Sequence, residues 1–170
     1  DLPHYLFYGQ AGTGKTTLAK ILVKNIDCDY LYINASDVTG VENIRTTIKG
    51  FAMTYSTAIS NIKIVILDEC DYLSPNAQVA LRNLMETYSA HCKFILTCNY
   101  KEKVIDPLQS RCQEYELNPP SRAEVGKHCV KVLEAENVEY EVETIATIID
   151  ACYPDIRRVI NYLQKQSING

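Results

Sequence analysis

Apolar positions cluster along the chain in two rhythms. Five short runs are apolar or β-rich and strand-sized: His4 to Tyr8, Tyr30 to Ile33, Ile64 to Leu67, Phe94 to Cys98 and Gln113 to Leu117. Between them, residues 16–26, 41–55 and 75–88, and a shorter piece over 101–110, carry the three-to-four-residue spacing of amphipathic helices. Strands alternating with helices predict an α/β layer architecture, a five-stranded parallel sheet flanked by helices. Asn118-Pro119-Pro120 interrupts the rhythm, because two prolines continue neither regular structure. The boundary predicted there separates residues 1–117 from 118–170. Beyond it Ser121-x-x-Glu124 is a capping box opening a helix to about Ala135, and helical patterns follow over 140–152 and 155–166. These make a small all-α unit of three helices, a bundle or lid.

Composition narrows the class. The 170 residues are 46% hydrophobic and 22% charged, which excludes a disordered tail and a large multidomain machine. No apolar run reaches the length of a membrane span, and the opening Asp1-Leu2-Pro3 is not a signal peptide, so the expected location is intracellular: cytoplasmic, or nuclear in a eukaryote. The formal charge is −4. Residues 1–117 hold 11 basic and 13 acidic groups and residues 118–170 hold 6 and 8, so each part is −2 and neither is a basic nucleic-acid module. Seven cysteines, an odd number with no C-x-x-C pair, read as reduced and mostly buried thiols, and no metal ligand is assigned among them.

Three sites carry chemistry. Gly9-Gln10-Ala11-Gly12-Thr13-Gly14-Lys15-Thr16 fits G-x-x-x-x-G-K-[ST] between a predicted strand and a predicted helix. Its glycines let backbone N–H groups wrap phosphate oxygens, Lys15 reaches the β and γ phosphates of ATP, and Thr16 offers its hydroxyl to Mg²⁺. Thr17 completes the set at the helix start. The run Ile64 to Leu67 ends in Asp68-Glu69, where Asp68 can hold Mg²⁺ through water and Glu69 can polarise the attacking water. Cys70 has no acid or base role, and Asp71 reads as capping or solvating the next segment, not as joining the chemistry. Phe94 to Cys98 delivers Asn99 to the same edge, as a turn residue or as a group that orients water against the γ-phosphate.

Three stretches complete the picture: YINASD at 32–37, AQVALRNLMETYS at 77–89 and TCNYKEKVIDPLQSRC at 97–112. With the phosphate loop and LDECD they resemble the AAA+ ATPase subunits of sliding-clamp loaders, the replication factor C small subunits and their phage counterparts. The resemblance covers nearly the whole chain. It implies Lys15, Thr16, Asp68 and Glu69 as the hydrolytic centre and Asn99 as a first sensor. Arg111, in Ser110-Arg111-Cys112, matches the finger that enters the neighbouring subunit's ATP, and Arg157 matches a second sensor at the start of the last lid helix. Other loader subunits, a ring-shaped clamp and primer-template DNA are the implied partners. Arg45 and Arg82 are candidates for DNA-backbone contact or for ordinary surface pairing.

Departures from the pattern are informative. GQAG stands where GPPG is common, Thr39 stands where an arginine usually faces DNA, and Tyr153-Pro154-Asp155 replaces a glycine-aspartate, a form shared with phage loaders. The four zinc cysteines of bacterial loader subunits are missing. Against the family, the chain lacks the lead-in before the first strand and the collar domain after the lid. Competing readings are a non-hydrolysing structural loader subunit and another AAA+ DNA remodeller such as a helicase loader.

Overall fold

A computed structural model describes residues 2–37 and 40–169. Its strands are β1 (His4–Tyr8), β2 (Asp29–Asn34), β3 (Lys63–Asp68), β4 (Cys92–Cys98) and β5 (Cys112–Glu116). They form one sheet in the order β2-β3-β4-β1-β5, all neighbours parallel. The helices between them are α1 (Lys15–Lys24), α2 (Val41–Met53), α3 (Pro75–Tyr88) and the single turn α4 (Asp106–Gln109). A fully parallel sheet must be covered on both faces, and the central strands accordingly read as unbroken apolar runs. Side chains alternate by face. Val65 and Leu67 of β3 and Phe94, Leu96 and Cys98 of β4 share one core with Ile44 and Ile48 of α2 and Leu81 and Met85 of α3. Ile64, Ile66 and Ile95 bury their side chains on the opposite face, the one left to α1 with its buried Ala19 and Val23.

The piece predicted as one helix over 101–110 is two. A 3-10 turn at Lys101–Lys103 is followed by extended Val104 and Ile105, and only then by α4. Pro107 restricts the residue before it and supplies no N–H, so the first turn of a helix is the place it tolerates. The extended linker is held by side chains instead. Gln78 Oε1 accepts from the Ile105 amide at 2.8 Å, and Gln109 Nε2 donates to the carbonyls of Lys101 and Val104 at 3.2 and 2.6 Å.

The chain divides into two compact units at Glu116 and Leu117, with the loop Gln10–Gly14 grouped with the second. That second unit carries α5 (Arg122–Ala135), α6 (Val142–Cys152) and α7 (Ile156–Asn169). Ser121 and Glu124 form the reciprocal capping box at the start of α5. Val125, Cys129, Leu133, Ile145, Ile149, Val159 and Leu163 make the unit's own core. At its loop, a Cβ on Gly12 would run into the Asp155 carboxylate, whose other task is to accept from the Arg158 amide at the head of α7.

Candidate active site

In a parallel sheet every strand ends at the same edge, and ligands bind where neighbouring strands release their loops. Three adjacent strands do so here. β1 releases the loop Gly9–Gly14, β3 ends at Asp68, and β4, between them, hands over to Asn99. Gly12 and Gly14 have φ of 80° and 93°, left-handed values that L side chains rarely adopt, and nothing lies within 4 Å of a Cβ placed on Gly14. At Gly14, therefore, bare backbone is what the loop presents. Thr13 Oγ1 closes the turn by donating to the Gln10 carbonyl at 2.9 Å. Lys15 opens α1, is buried, and donates from Nζ to the Gly9 carbonyl at 2.8 Å. Thr17 is exposed on the same turn, as are Gln10 and Ala11 on the loop.

Asp68 is only 5% exposed, and a carboxylate at that depth needs donors. Hydroxyls supply them. Thr16 Oγ1 lies 2.8 and 3.0 Å from its two oxygens, Tyr32 donates to Oδ2 at 2.8 Å, and Thr97 donates to Oδ1. Burial, the bond to Asp68, and the charges of Asp68, Glu69 and Asp37 push the Tyr32 hydroxyl above its ordinary range, so it stays a donor. Thr97 also accepts from the Glu69 amide at 3.1 Å. Glu69 itself sits at φ 56°, ψ 42°, a left-handed conformation costing a non-glycine residue on the order of 1 kcal/mol. That turn takes Glu69 out of the alternation of β3 and leaves it half-exposed.

Asn99 is half-buried, and its backbone is held by a residue that spacing alone had placed elsewhere. Asp71, in the 3-10 turn Cys70–Tyr72, accepts from the Asn99 and Tyr100 amides at 3.3 and 3.2 Å. It caps the end of β4, not the segment that follows it in sequence. Between them the Cys98 thiol and burial push the Cys70 thiol far up, leaving it inert at physiological pH. Gln78 on α3 is fully buried and donates from Nε2 to the carbonyls of Leu73 and Lys103 at 3.1 and 2.9 Å. Tyr32, Thr97 and Gln78 received no role from sequence, and Asp71 a different one. The legible signals were polar residues inside apolar patterns: Thr97 in Phe94 to Cys98, and Gln78 on the core face of α3.

Arg111 lies apart from this edge. Arg111 immediately precedes β5, and the register His4↔Cys112 through Tyr8↔Glu116 places it at the amino edge of the sheet, while Gly9 leaves from the carboxyl edge. One strand length of about 16 Å separates the two. Its guanidinium donates to the Pro107 carbonyl at 2.6 Å and pairs with Glu86 of α3. Arg82 approaches the same Glu86 oxygen at 4.0 Å and donates to Asn83 Oδ1. Arg45 is exposed on α2, and Arg157 and Arg158 are exposed in the first turn of α7, in the second unit. Thr39 lies outside the described residues.

The donor set at the carboxyl edge fits a magnesium-bound nucleotide. A hydroxyl and a carboxylate already within hydrogen-bond reach of each other match an ion that takes few protein oxygens and keeps waters and phosphates, and the open backbone at Gly14, at the head of α1, matches a phosphate. Among the described residues no helix is long and apolar enough to cross a membrane.

Comparison with known proteins identifies the family. Residues 5–119 match the model of the ATPase family associated with various cellular activities (AAA). The chain is 42% identical over 173 residues to a replication factor C small subunit of Methanoculleus marisnigri and 40% identical over 175 residues to that of Sulfurisphaera tokodaii. It is covered to 99% and 100% in these matches and spans about half, 54%, of each relative. Among solved structures, the Thermotoga maritima RuvB Holliday junction branch migration motor superposes with a TM-score of 0.79 at 18% identity, over 96% of this chain and 53% of that one. At that identity the likeness is one of fold.

Proposed function

The chain belongs to the ATPase family associated with various cellular activities, and on that premise we propose that it is the ATPase portion of a sliding-clamp-loader subunit, hydrolysing ATP at a site completed by a neighbouring subunit. The observation that carries the reading is the placement of Arg111. It heads β5 at the edge opposite Asp68, too far to serve its own site yet exposed for another. The identity to replication factor C small subunits supports the clamp as the object of the work.

The chain's own residues divide the labour. Amides of Gly9 to Gly14 receive the phosphates, and Lys15 brings an ammonium to the β and γ groups. Thr16 and Asp68 would hold Mg²⁺, which when bound neutralises phosphate charge and polarises the terminal phosphorus. Glu69 accepts the proton of the attacking water, and Asn99 orients that water. Arg111 compensates γ-phosphate charge in the next subunit, and Arg157 reports nucleotide state to the lid. Contacts that run head to tail generate rings or spirals, which suits an assembly that grips a ring-shaped clamp around primer-template DNA. With a net charge of −4, DNA affinity must come from a few residues such as Arg82 and Arg45 repeated around the assembly.

The test is steady-state ATPase of the intact protein with clamp and primer-template DNA, wild type against Arg111→Ala. Stimulated turnover is expected to collapse while ATP still binds to the variant's own loop. Unchanged turnover removes the completion by a neighbour, and absence of stimulation by clamp and DNA removes the loader reading.

A further inference from the structure

Asp71 is the third acid of Asp68-Glu69-Cys70-Asp71 and the one for which the chemistry above has no use. It is 8% exposed. One of its oxygens, Oδ2, holds two amides twenty-eight and twenty-nine residues away, those of Asn99 and Tyr100. The other, Oδ1, is buried and has no hydrogen-bond partner among the described residues. A buried carboxylate satisfied on one side only is a costly way to cap a strand, and a serine or asparagine would do it with less desolvation. What the charge adds is strength, since hydrogen bonds to an ionised acceptor are roughly twice as strong as neutral ones. The position is equally telling. Asp71 lies two residues after Glu69, in the turn that Glu69 enters at positive φ, and the first amide it grips belongs to Asn99. The end of β3 and the end of β4 are thus locked to each other twice: through Thr97 to the Glu69 amide, and through Asp71 to the Asn99 amide.

We propose that Asp71 is a positioning residue for hydrolysis, its ionised carboxylate fixing the backbone of Asn99 relative to Glu69 so that base and water-orienting amide act on one water. The proposal rests on the roles given above to Glu69 and Asn99. Asp71 bonds to backbone amides and is given no part in holding phosphate or metal, so ATP affinity is expected to survive its substitution.

Asp71→Asn isolates the effect, because an NH₂ placed where Oδ1 sits breaks no hydrogen bond while the retained oxygen loses its charge. In the intact protein, turnover of Asp71→Asn is expected to fall roughly tenfold, with ATP dissociation constant and thermal midpoint unchanged. Asp71→Ser, a second neutral acceptor, should behave alike. Asn99→Ala should also lower turnover, and the double variant Asp71→Asn/Asn99→Ala should be no slower than Asn99→Ala alone, since one acts through the other. Wild-type turnover in Asp71→Asn beside a slow Asn99→Ala overturns the proposal, as do additive losses. Loss of ATP affinity or of thermal stability in step with turnover makes Asp71 a cap of the fold and overturns it too. Wild-type turnover in Asn99→Ala is the distinct outcome in which the underlying role of Asn99 falls.

Discussion

The two edges of the one sheet are built on opposite principles. At the carboxyl edge, Asp68 is buried and bonded by Thr16, Tyr32 and Thr97, and Asp71 and Thr97 tie the turns after β3 and β4 together. At the amino edge, Arg111 and Glu86 keep 35% and 47% of their side-chain surface in solvent, and a single carboxylate serves two arginines. Buried networks are rigid because leaving any member unpaired is costly, whereas exposed ion pairs contribute little and rearrange easily. The first edge is furnished for chemistry within the chain. The second is an exposed ion pair free to rearrange, which is what the proposed role of Arg111 in a neighbour's site requires.

Substitutions that strike one edge and spare the other break or sharpen this contrast. The largest effect is expected at the outer edge: Arg111→Ala should lower stimulated turnover on the order of 10³-fold in the assembly, as arginine fingers do, with no change in the thermal midpoint of the isolated chain. At the inner edge Glu69→Gln should lower turnover by about 10²-fold or more while ATP affinity, measured by nucleotide titration, is retained. If both variants kept full turnover, neither edge would be catalytic.

Stability should show the reverse ranking. Gln78→Leu strands the Ile105 amide and two carbonyls in the core and should cost about 3 kcal/mol in denaturant unfolding. A weaker effect is expected from pH at the amino edge. His4 accepts from the Phe94 amide on Nδ1 at 3.1 Å, and burial, helped by the charge of Lys93, lowers its pKa from 6.5 to about 4. The unfolded chain then takes up this proton near pH 6.5 and the folded chain only near 4, so stability should decline as pH falls through that window. His4→Asn, which keeps an acceptor and does not titrate, should flatten that part of the curve. Smallest of all, Glu86→Ala should change unfolding free energy by less than about 1 kcal/mol, because its pairs are exposed. A loss of several kcal/mol there would place the amino edge in the same rigid class as the carboxyl edge.

Legibility followed local signal. The five strands were readable because a covered parallel sheet writes continuous apolar runs, and the phosphate loop because its glycines and lysine are adjacent in sequence. The helix expected over 101–110 was misread because its amide and carbonyl partners come from Gln78 and Gln109 side chains, which spacing does not encode. Asp71 reads from sequence as capping or solvating the next segment, whereas its donors lie just past the end of β4, one strand over.

Taken alone, the order of residues determined the architecture, the loop that meets phosphate and the identity of the acids, since each depends on periodicity or on neighbours within about eight positions. Tertiary structure decided which groups share an edge. The parallel register sends Asp68 and Arg111 to opposite ends of the sheet, and the strand order sets β4 between β1 and β3 so that Asp71 can reach Asn99. Such pairings join residues dozens of positions apart, and they exist only once the strands have been laid side by side.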